Sequence, residues 1–265
     1  MANALESIIL GIIQGIAEWL PISSTGHLRL AEHFLLRQQV PLLLSITLHV
    51  GTLAALLVFF RNDIRNILSA LYHRDFKSEN GKLIPLIIAG SVPTAIIGFA
   101  LSDTVESLSQ QILPIAIALL LSGTLLYTSR FAKEKTENVT YPTALAFGIA
   151  QGLAVMPGLS RSGTTLAVAL LLGLKRDKAF RFSFLLSIPA VIGALGLEAY
   201  KEREALTQAG FGSFEILVGA TAAMLVGYVA LIFVHKTVED KRFHLFAFYC
   251  WLLGMALVAL SMNGF

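Results

Sequence analysis

Two short stretches of this chain carry side chains suited to chemistry, and both interrupt long apolar runs. The first, "QGIAEWLPISSTGHL", contains Gln14, Glu18, Ser24 and His27. Gln14 and Glu18 are four residues apart, so on a helix both side chains project from the same face. His27 follows Ser24 by one helical turn, where it can accept the serine proton or protonate a leaving group. The stretch therefore predicts an acid, a nucleophile and a base close together.

The second stretch, "PGLSRSGTT", places Arg161 between Ser160 and Ser162. An arginine at membrane depth costs about 2.5 to 3.5 kcal/mol on insertion scales, and it normally faces a partner or a polar cavity. Its guanidinium group binds phosphate through two parallel hydrogen bonds. Helix N-termini at the two breaks would add partial positive charge and free N–H groups. We therefore expect an oxyanion site here.

A carboxylate beside an oxyanion site implies a cation between them. Oxygen ligands suit Mg²⁺ or Ca²⁺, so Glu18, with Gln14 beside it, is the candidate ligand for a divalent metal. Such an ion would bridge phosphate oxygens and neutralise the charge that develops as a P–O bond breaks.

The same residues also have plainer interpretations. Glu18 is also compatible with one half of a buried structural ion pair, and His27 with an ordinary interfacial histidine. Capping alone explains Ser24 and Thr25. His49, alone on the apolar run "SITLHVGTLAALLVFF", is interpreted as structural.

Local signals define how the chain turns at the breaks. Pro21 ends the first helix, and the serines at 23 and 24 are natural N-caps for a second helix that we expect to begin near Thr25. After the second break we expect a helix from about Gly163 or Thr164. Irregular backbone at membrane depth is tolerated only where it is buried in protein or lines a wet cavity, so these turns predict a cavity.

The whole chain has the composition of a multi-pass membrane protein. Of its 265 residues, 55% are hydrophobic and only 14% are charged, and the mean hydropathy is +0.73. These values exclude an ordinary soluble domain. Six apolar runs have about the 20 residues that a membrane-spanning helix needs. They are residues 43–60, 83–101, 112–129, 181–199, 214–234 and 243–262.

Basic residues indicate the topology, because cytoplasmic loops are enriched in lysine and arginine. Most of the basic residues lie in four segments: 61–82, 130–140, 174–181 and 235–242. If the interrupted segment 141–173 crossed the membrane once, the basic segments on its two sides would lie on opposite faces. We therefore expect it to enter and leave on the same side, as a re-entrant pair of half-helices.

By parity, the other interrupted segment, 4–36, enters from the opposite face. Both termini and the loops that carry Arg29, Arg37, Lys201 and Arg203 are then expected outside the cytoplasm.

An internal repeat agrees with this topology. "IQGIAEWLPISSTGH" and "AQGLAVMPGLSRSGT" share a Gln-Gly pair, a proline and a serine-rich turn closed by glycine. The equivalent positions are Gln14-Gly15 and Gln151-Gly152, Pro21 and Pro157, and Gly26 and Gly163. One copy entering from each face is typical of an inverted-topology repeat. We predict an all-α fold with six transmembrane helices and two re-entrant helix pairs, in one domain (1–265) built from repeats 1–130 and 131–265.

These motifs resemble a known family. "QGIAEWLPISSTGHL" is similar to the first signature, and "PGLSRSGTT" to the second, of the undecaprenyl-diphosphate phosphatase family, the bacitracin-resistance proteins. "LHVGTLAALLVFFR" and "FSFLLSIPAVIGA" are also similar to that family, so the resemblance covers nearly the whole chain.

The resemblance implies hydrolysis of undecaprenyl diphosphate to undecaprenyl phosphate and inorganic phosphate. This reaction recycles the lipid carrier of cell-wall polymers and confers resistance to bacitracin. The resemblance also implies dependence on a divalent cation, a location in the plasma membrane and an active site that opens to the extracytoplasmic side. The expected partners are the polyprenyl diphosphate substrate, membrane lipid and a second copy of the chain in a homodimer; nucleic acid is not expected.

The resemblance also assigns roles to particular residues. It implies catalytic roles for Glu18, Ser24, His27 and Arg161. The implied diphosphate-binding residues are Ser23, Thr25, Gly26, Ser160, Ser162, Gly163 and Thr164. Many members have a glutamate where this chain has Gln14, which stays a candidate metal ligand or orienting group. The nucleophile is either Ser24 or a metal-held water, and we favour Ser24 with His27 as its base.

Other functions also fit parts of this pattern. A polyprenyl-phosphate transporter or flippase would use the same inverted repeats and broken helices, but carriage alone needs no Glu-Ser-His set beside an arginine. "STGH" is also found in type-2 phosphatidic acid phosphatases, but the other motifs of that family are missing from the sequence.

Overall fold

The computed structural model describes residues 4–36, 40, 42–201 and 213–262, and this part of the protein is mainly helical. One isolated parallel bridge, between Thr136 and Leu174, is the only β contact within those ranges. Arg37 and Arg203, which we expect outside the cytoplasm, are not among the described residues.

Twelve α-helices lie in the described ranges. In chain order they are α1 (Ala4–Trp19), α2 (Ser24–Ala31), α3 (Leu42–Phe59), α4 (Arg61–Tyr72), α5 (Leu83–Ala100), α6 (Ser102–Ser109), α7 (Ile112–Thr128), α8 (Tyr141–Leu153), α9 (Arg161–Leu171), α10 (Arg176–Lys201), α11 (Ser213–Glu239) and α12 (Phe246–Met262).

Six of these helices are long and apolar enough to cross a bilayer, and they confirm the six predicted spans. They are α3, α5, α7, α10, α11 and α12. The largest difference is in α10, which begins at Arg176 rather than near residue 181. Polar residues at the end of a helix are still helical, but they lower the local hydropathy. A hydropathy pattern therefore underestimates the length of the helix. The chain is therefore a multi-pass membrane protein.

Both interrupted segments are broken where the sequence predicts, because serine side chains cap the second helix of each pair. The Ser23 hydroxyl accepts the Gly26 N–H at 3.3 Å, and α2 begins at Ser24. The Ser160 hydroxyl accepts the Gly163 N–H at 3.1 Å. The expected start of α9 near Gly163 or Thr164 is therefore wrong by two or three residues, since Ser160 is the cap and α9 begins at Arg161.

Small residues allow the first helix of each broken pair to pack tightly on a long helix. α1 packs along α11, and α8 packs along α5. A methyl group at Gly11 would overlap the carbonyl oxygen of Gly219, and one at Gly148 would overlap the carbonyl oxygen of Gly90. Close backbone approach of this kind is how membrane helices gain packing energy without a hydrophobic driving force.

An aromatic cluster holds the end of α1 in the centre of the molecule. Trp19 is fully buried, and its ring centroid lies 5.7 Å from that of Phe184 on α10. Phe184 in turn contacts Phe180 at 4.4 Å and Phe60 at 6.2 Å. Because Trp19 follows Glu18 directly, this packing fixes the position of the Glu18 backbone.

Segment 174–181 contacts each of the three other basic segments. Arg181 pairs with Asp63 at 2.6 Å, and Lys178 pairs with Glu79 at 2.8 Å. The hydrogen bond from Lys178 lowers the pKa of the Glu79 carboxyl below its usual value. Arg176 pairs with Glu134 at 3.2 Å and donates to the carbonyl of Val238 at 3.4 Å.

The stretch of chain that precedes segment 141–173 also contacts the end of that segment. The N–H of Lys135 donates to the carbonyl of Gly173 at 2.7 Å, and Lys175 pairs with Glu137.

Candidate active site

The two broken segments touch at their tips. The Arg161 guanidinium donates through Nη2 to Oε1 of Glu18. The Ser162 hydroxyl lies 3.4 Å from the carbonyl oxygen of Leu20, and a methyl group at Gly163 would lie 2.9 Å from Cβ of Pro21. Residues that are more than 140 positions apart in the chain are thereby brought into one cluster.

Glu18 is the centre of this cluster, and donors surround its carboxylate. Oε2 accepts hydrogen bonds from Nε2 of Gln14 at 3.1 Å and from Oγ of Ser24 at 2.8 Å. Nε2 of His49 lies 3.8 Å from the same oxygen. The side chain is almost completely buried, and hydrogen bonds from charged and polar donors stabilise its ionised form there.

Arg161 is positioned by the second break. It is the first residue of α9, and its Cζ lies 5.4 Å from the ring centroid of Trp19, a cation–π geometry. Ser160 is fixed by its own N–H, which donates to the Ser122 hydroxyl at 3.1 Å, and its hydroxyl lies 3.2 Å from that of Ser162. The arginine is therefore held both by its helix start and by the ring beneath it.

His27 is engaged elsewhere than we expect. Its Nδ1 lies 2.8 Å from the Ser23 carbonyl, so Nδ1 carries the proton, and its Nε2 lies 2.6 Å from the hydroxyl of Tyr249 on α12. The Ser24 hydroxyl donates to Glu18 instead. The arrangement that we favour from sequence, with His27 as the base for Ser24, is not the one that the chain adopts here.

The remaining predicted residues fall into two groups. Ser23 is buried and has φ of 70°, in the left-handed region that non-glycine residues rarely adopt, which indicates strain at the first break. Gly26 and Gly163 are buried, and Thr164 is buried with a hydroxyl that has no hydrogen-bond partner in the described parts of the chain. Thr25 is exposed, so its side chain is not enclosed with the others.

The local sequence does not mark Tyr249, and His49, which we interpret as structural, lies next to Glu18. Tyr249 lies 222 positions from His27 on an apolar span, and no local pattern marks it. An ionisable residue at membrane depth is a candidate for function, and His49 is such a residue. The structure places it beside Glu18 rather than apart from the site.

Glu18 and Gln14 fit a divalent metal shared with substrate once the Gln14 amide rotates so that Oε1, and not Nε2, faces Glu18. Oε1 of Gln14 is buried and has no hydrogen-bond partner among the described residues, while Nε2 of the same amide faces Glu18. An amide oxygen and a carboxylate are ligands that Mg²⁺ accepts together with phosphate oxygens and water. Within the described ranges no group of three or more His, Cys, Asp or Glu residues could hold a metal, so the remaining ligands would come from substrate and solvent.

Comparison with known proteins gives one family over nearly the whole chain. The family model described as "Bacitracin resistance protein BacA" matches residues 7–256. A protein of Carboxydothermus hydrogenoformans named undecaprenyl-diphosphatase is 39% identical over 99% of both chains. Proteins with the same name from Treponema denticola and Korarchaeum cryptofilum are 40% and 38% identical; the first match covers 96% of both chains, and the second covers 96% of this chain and 98% of its relative.

Proposed function

We propose, since this chain belongs to the bacitracin resistance protein BacA family, that it hydrolyses undecaprenyl diphosphate to undecaprenyl phosphate and inorganic phosphate. The observation that carries this proposal is the contact between the two breaks, in which Glu18 meets both Arg161 and Ser24. A carboxylate, a hydroxyl and a guanidinium group in one buried cluster are the groups that phosphoryl transfer requires. The product would return to the cell-wall cycle as lipid carrier, and its supply would confer bacitracin resistance.

The chemical steps follow from the hydrogen bonds of Ser24 and Arg161. Arg161 has five N–H donors, and those that Glu18 does not use are available to the oxygens of the diphosphate. Ser24 attacks the terminal phosphorus, and its proton passes to Glu18, to which it is already hydrogen-bonded. The bond from the terminal phosphorus to the bridging oxygen breaks, and that oxygen takes the proton from Glu18 as undecaprenyl phosphate leaves.

Water then attacks the phosphorylated Ser24. Glu18 accepts the proton of the water, and the serine oxygen leaves and is reprotonated, so that inorganic phosphate is released and both groups return to their initial state. In this scheme His27, held by Ser23 and Tyr249, orients the first turn of α2 and does not take the Ser24 proton. A divalent cation held by Gln14 and Glu18 would neutralise charge on the diphosphate oxygens.

The same proposal includes two re-entrant pairs in an inverted repeat. The hydrogen bond between Lys135 and Gly173 supports a segment 141–173 that returns to its starting side. The reciprocal packing of α1 on α11 and of α8 on α5 supports two related halves, because each half contributes a broken pair that packs against the other half. The halves are 1–130 and 131–265, joined in one domain.

The membrane orientation is part of the proposal as well. The basic segments would face the cytoplasm of a plasma-membrane protein, with both termini and the opening of the active site on the other side. Contacts of Arg29 with Ser109 at 3.5 Å, and of Lys201 with Asp103 at 3.4 Å, support a common outer side for α2, α6 and the end of α10.

The test is phosphate release by the purified protein in detergent, with undecaprenyl diphosphate and Mg²⁺. We expect turnover by the wild-type protein and a rate lower by about 100-fold or more for Arg161→Lys, which keeps the charge but loses the forked donor geometry. Arg130→Lys, on an exposed 3₁₀ turn, is the control and should keep the wild-type rate. Absence of phosphate release from the wild-type protein, with transport of polyprenyl phosphate into vesicles, would favour the carrier function.

A further inference from the structure

A narrow cleft adjoins Arg161 on the side of α10; it is too tight in this structure for a water molecule, so a ligand enters it only as α9 and α10 separate. Its lining residues come from α9 and α10, and they are Arg161, Ser162, Thr165, Ser183, Phe184 and Ser187. Phe184 packs on Trp19, the ring over which the Arg161 guanidinium lies, so Trp19 links α10 to the arginine. The lining contains four hydroxyl groups and one positive charge, and no acidic side chain contributes to it.

Three of these hydroxyl groups have acceptors within the protein. Thr165 donates to the Arg161 carbonyl at 2.9 Å, and Ser187 donates to the Phe184 carbonyl at 2.7 Å. Ser162 has the Leu20 carbonyl and the Ser160 hydroxyl within hydrogen-bond distance. Ser183 differs, because its hydroxyl has no hydrogen-bond partner in the described part of the chain. Only 2% of the residue is exposed, so bulk solvent does not supply a partner.

A buried hydroxyl without a partner is costly, and it is most readily explained by a group that arrives later. The adjacent guanidinium group selects an anion for that position, and an oxyanion accepts hydrogen bonds from both groups. We propose that Ser183 is a substrate-binding residue, whose hydroxyl donates to an oxygen of the diphosphate that Arg161 holds. α10 then forms a third wall of the site, beside the two breaks. This inference rests on the proposed function for the identity of its ligand.

The test compares Ser183→Ala with Ser7→Ala. Ser7 is also a buried serine whose hydroxyl has no partner among the described residues, but it lies near the start of α1, away from the cluster at Glu18. Two quantities are measured for each variant: the KM for undecaprenyl diphosphate, and the Kd of inorganic pyrophosphate by calorimetry, which needs no turnover. Thermal unfolding in detergent reports whether each variant is folded.

We expect Ser183→Ala to raise both constants about 10-fold, the usual effect of losing one hydrogen bond to a charged group, and Ser7→Ala to leave both unchanged. Wild-type constants for Ser183→Ala would overturn the inference. So would an increase confined to pyrophosphate, since Ser183 would then bind free phosphate and not the lipid substrate. If Ser183→Ala fails to fold, Ser183→Cys keeps the volume with a weaker donor, and wild-type constants for it would again overturn the inference.

The two proposals fail separately. Phosphate release by the wild-type protein with an unchanged KM for Ser183→Ala rejects the role of Ser183 alone. Pyrophosphate binding without any hydrolysis by the wild-type protein rejects the proposed function, and the Kd comparison still decides whether Ser183 binds phosphate. A wild-type protein that neither hydrolyses the lipid nor binds pyrophosphate rejects both.

Discussion

Glu18 is the residue on which most of the site's contacts converge. It is approached by Gln14 from its own helix, Ser24 from α2, His49 from α3 and Arg161 from α9. A carboxylate and a guanidinium group at this depth are both costly unless they are paired, so the pair explains why each is tolerated. A structural role for the pair and a catalytic one are compatible, because the same contacts that hold Arg161 also hold the oxygen that receives the Ser24 proton.

We expect Glu18→Gln to lower kcat by about 100- to 10,000-fold, the range for loss of a general base. The amide has nearly the same volume but cannot take the Ser24 proton. It also leaves Arg161 without a counter-charge, so the unfolding midpoint should fall modestly. Phosphate release and thermal unfolding in detergent measure the two effects, with Glu106→Gln on exposed α6 as the control. A Glu18→Gln variant with wild-type kcat would rule out Glu18 as the proton acceptor.

Metal dependence is predicted at Gln14. We expect a chelator to abolish phosphate release and Mg²⁺ to restore it. Gln14→Glu adds a second carboxylate beside Glu18, so the Mg²⁺ concentration for half-maximal activity should fall several-fold. The control is Gln151→Glu, at the equivalent place in the other break, where the amide instead donates to Thr94 at 3.3 Å. That change should reduce stability and leave the metal requirement as it is. Full activity in excess chelator would contradict a metal at Gln14.

At the scale of elements, the site depends on how closely α1 and α8 approach their partner helices. Both helices carry a glycine pair with three intervening residues, Gly11 and Gly15 in α1 and Gly148 and Gly152 in α8. If an added methyl group pushed α1 or α8 away from its partner helix, the end of α1 that carries Glu18 or the end of α8 at the second break would shift. Close packing of these glycines therefore sets the separation of the two breaks.

Gly11→Ala tests this packing. Its methyl group would overlap the Gly219 carbonyl and lie 2.9 Å from Cβ of Ala222, so we expect a loss of about 1 to 3 kcal/mol in stability and a lower activity. Gly193→Ala is the matched control, because a methyl group there has no neighbour within 4 Å, and the better helix propensity of alanine should leave stability unchanged or slightly raised. Equal unfolding midpoints for the two variants would show that α1 does not need the close approach.

At the scale of the whole molecule, the ion pairs among the four basic segments gather them into one region. Segment 174–181 contacts the three others, through Arg181 and Asp63, Arg176 and Glu134, and Arg176 and the Val238 carbonyl. These contacts support one common side for all four segments, as the proposed topology requires; which side is cytoplasmic rests on the distribution of the basic residues alone.

The orientation is tested with a thiol reagent that does not cross membranes. Lys133→Cys lies on an exposed basic loop and Glu106→Cys on exposed α6. In intact cells we expect labelling of Glu106→Cys only, and labelling of Lys133→Cys after the membrane is opened. The unchanged chain is the background control, since its one cysteine, Cys250, is fully buried. Labelling of both variants in intact cells would contradict the topology.

The sequence by itself determined the spans and the two breaks, and it left a buried ion pair at Glu18 as an alternative to a metal site. Hydropathy, a helix-ending proline and capping serines act over a few neighbouring residues, and the cost of an isolated charge at membrane depth makes a partner for each one necessary. The predicted start of α9 differs from the observed one only because two serines in that turn are both able to cap.

Only the tertiary structure decided which groups share hydrogen bonds at the site. Ser24 donates to Glu18 rather than to His27. The hydroxyl of Tyr249 is hydrogen-bonded to Nε2 of His27, because α12 packs across the first break. His49 lies beside Glu18 on α3, and Ser183 lines the cleft beside Arg161 on α10. Such contacts join side chains across the packed bundle, and their directions depend on how the helices are rotated against one another, which no local pattern of residues specifies.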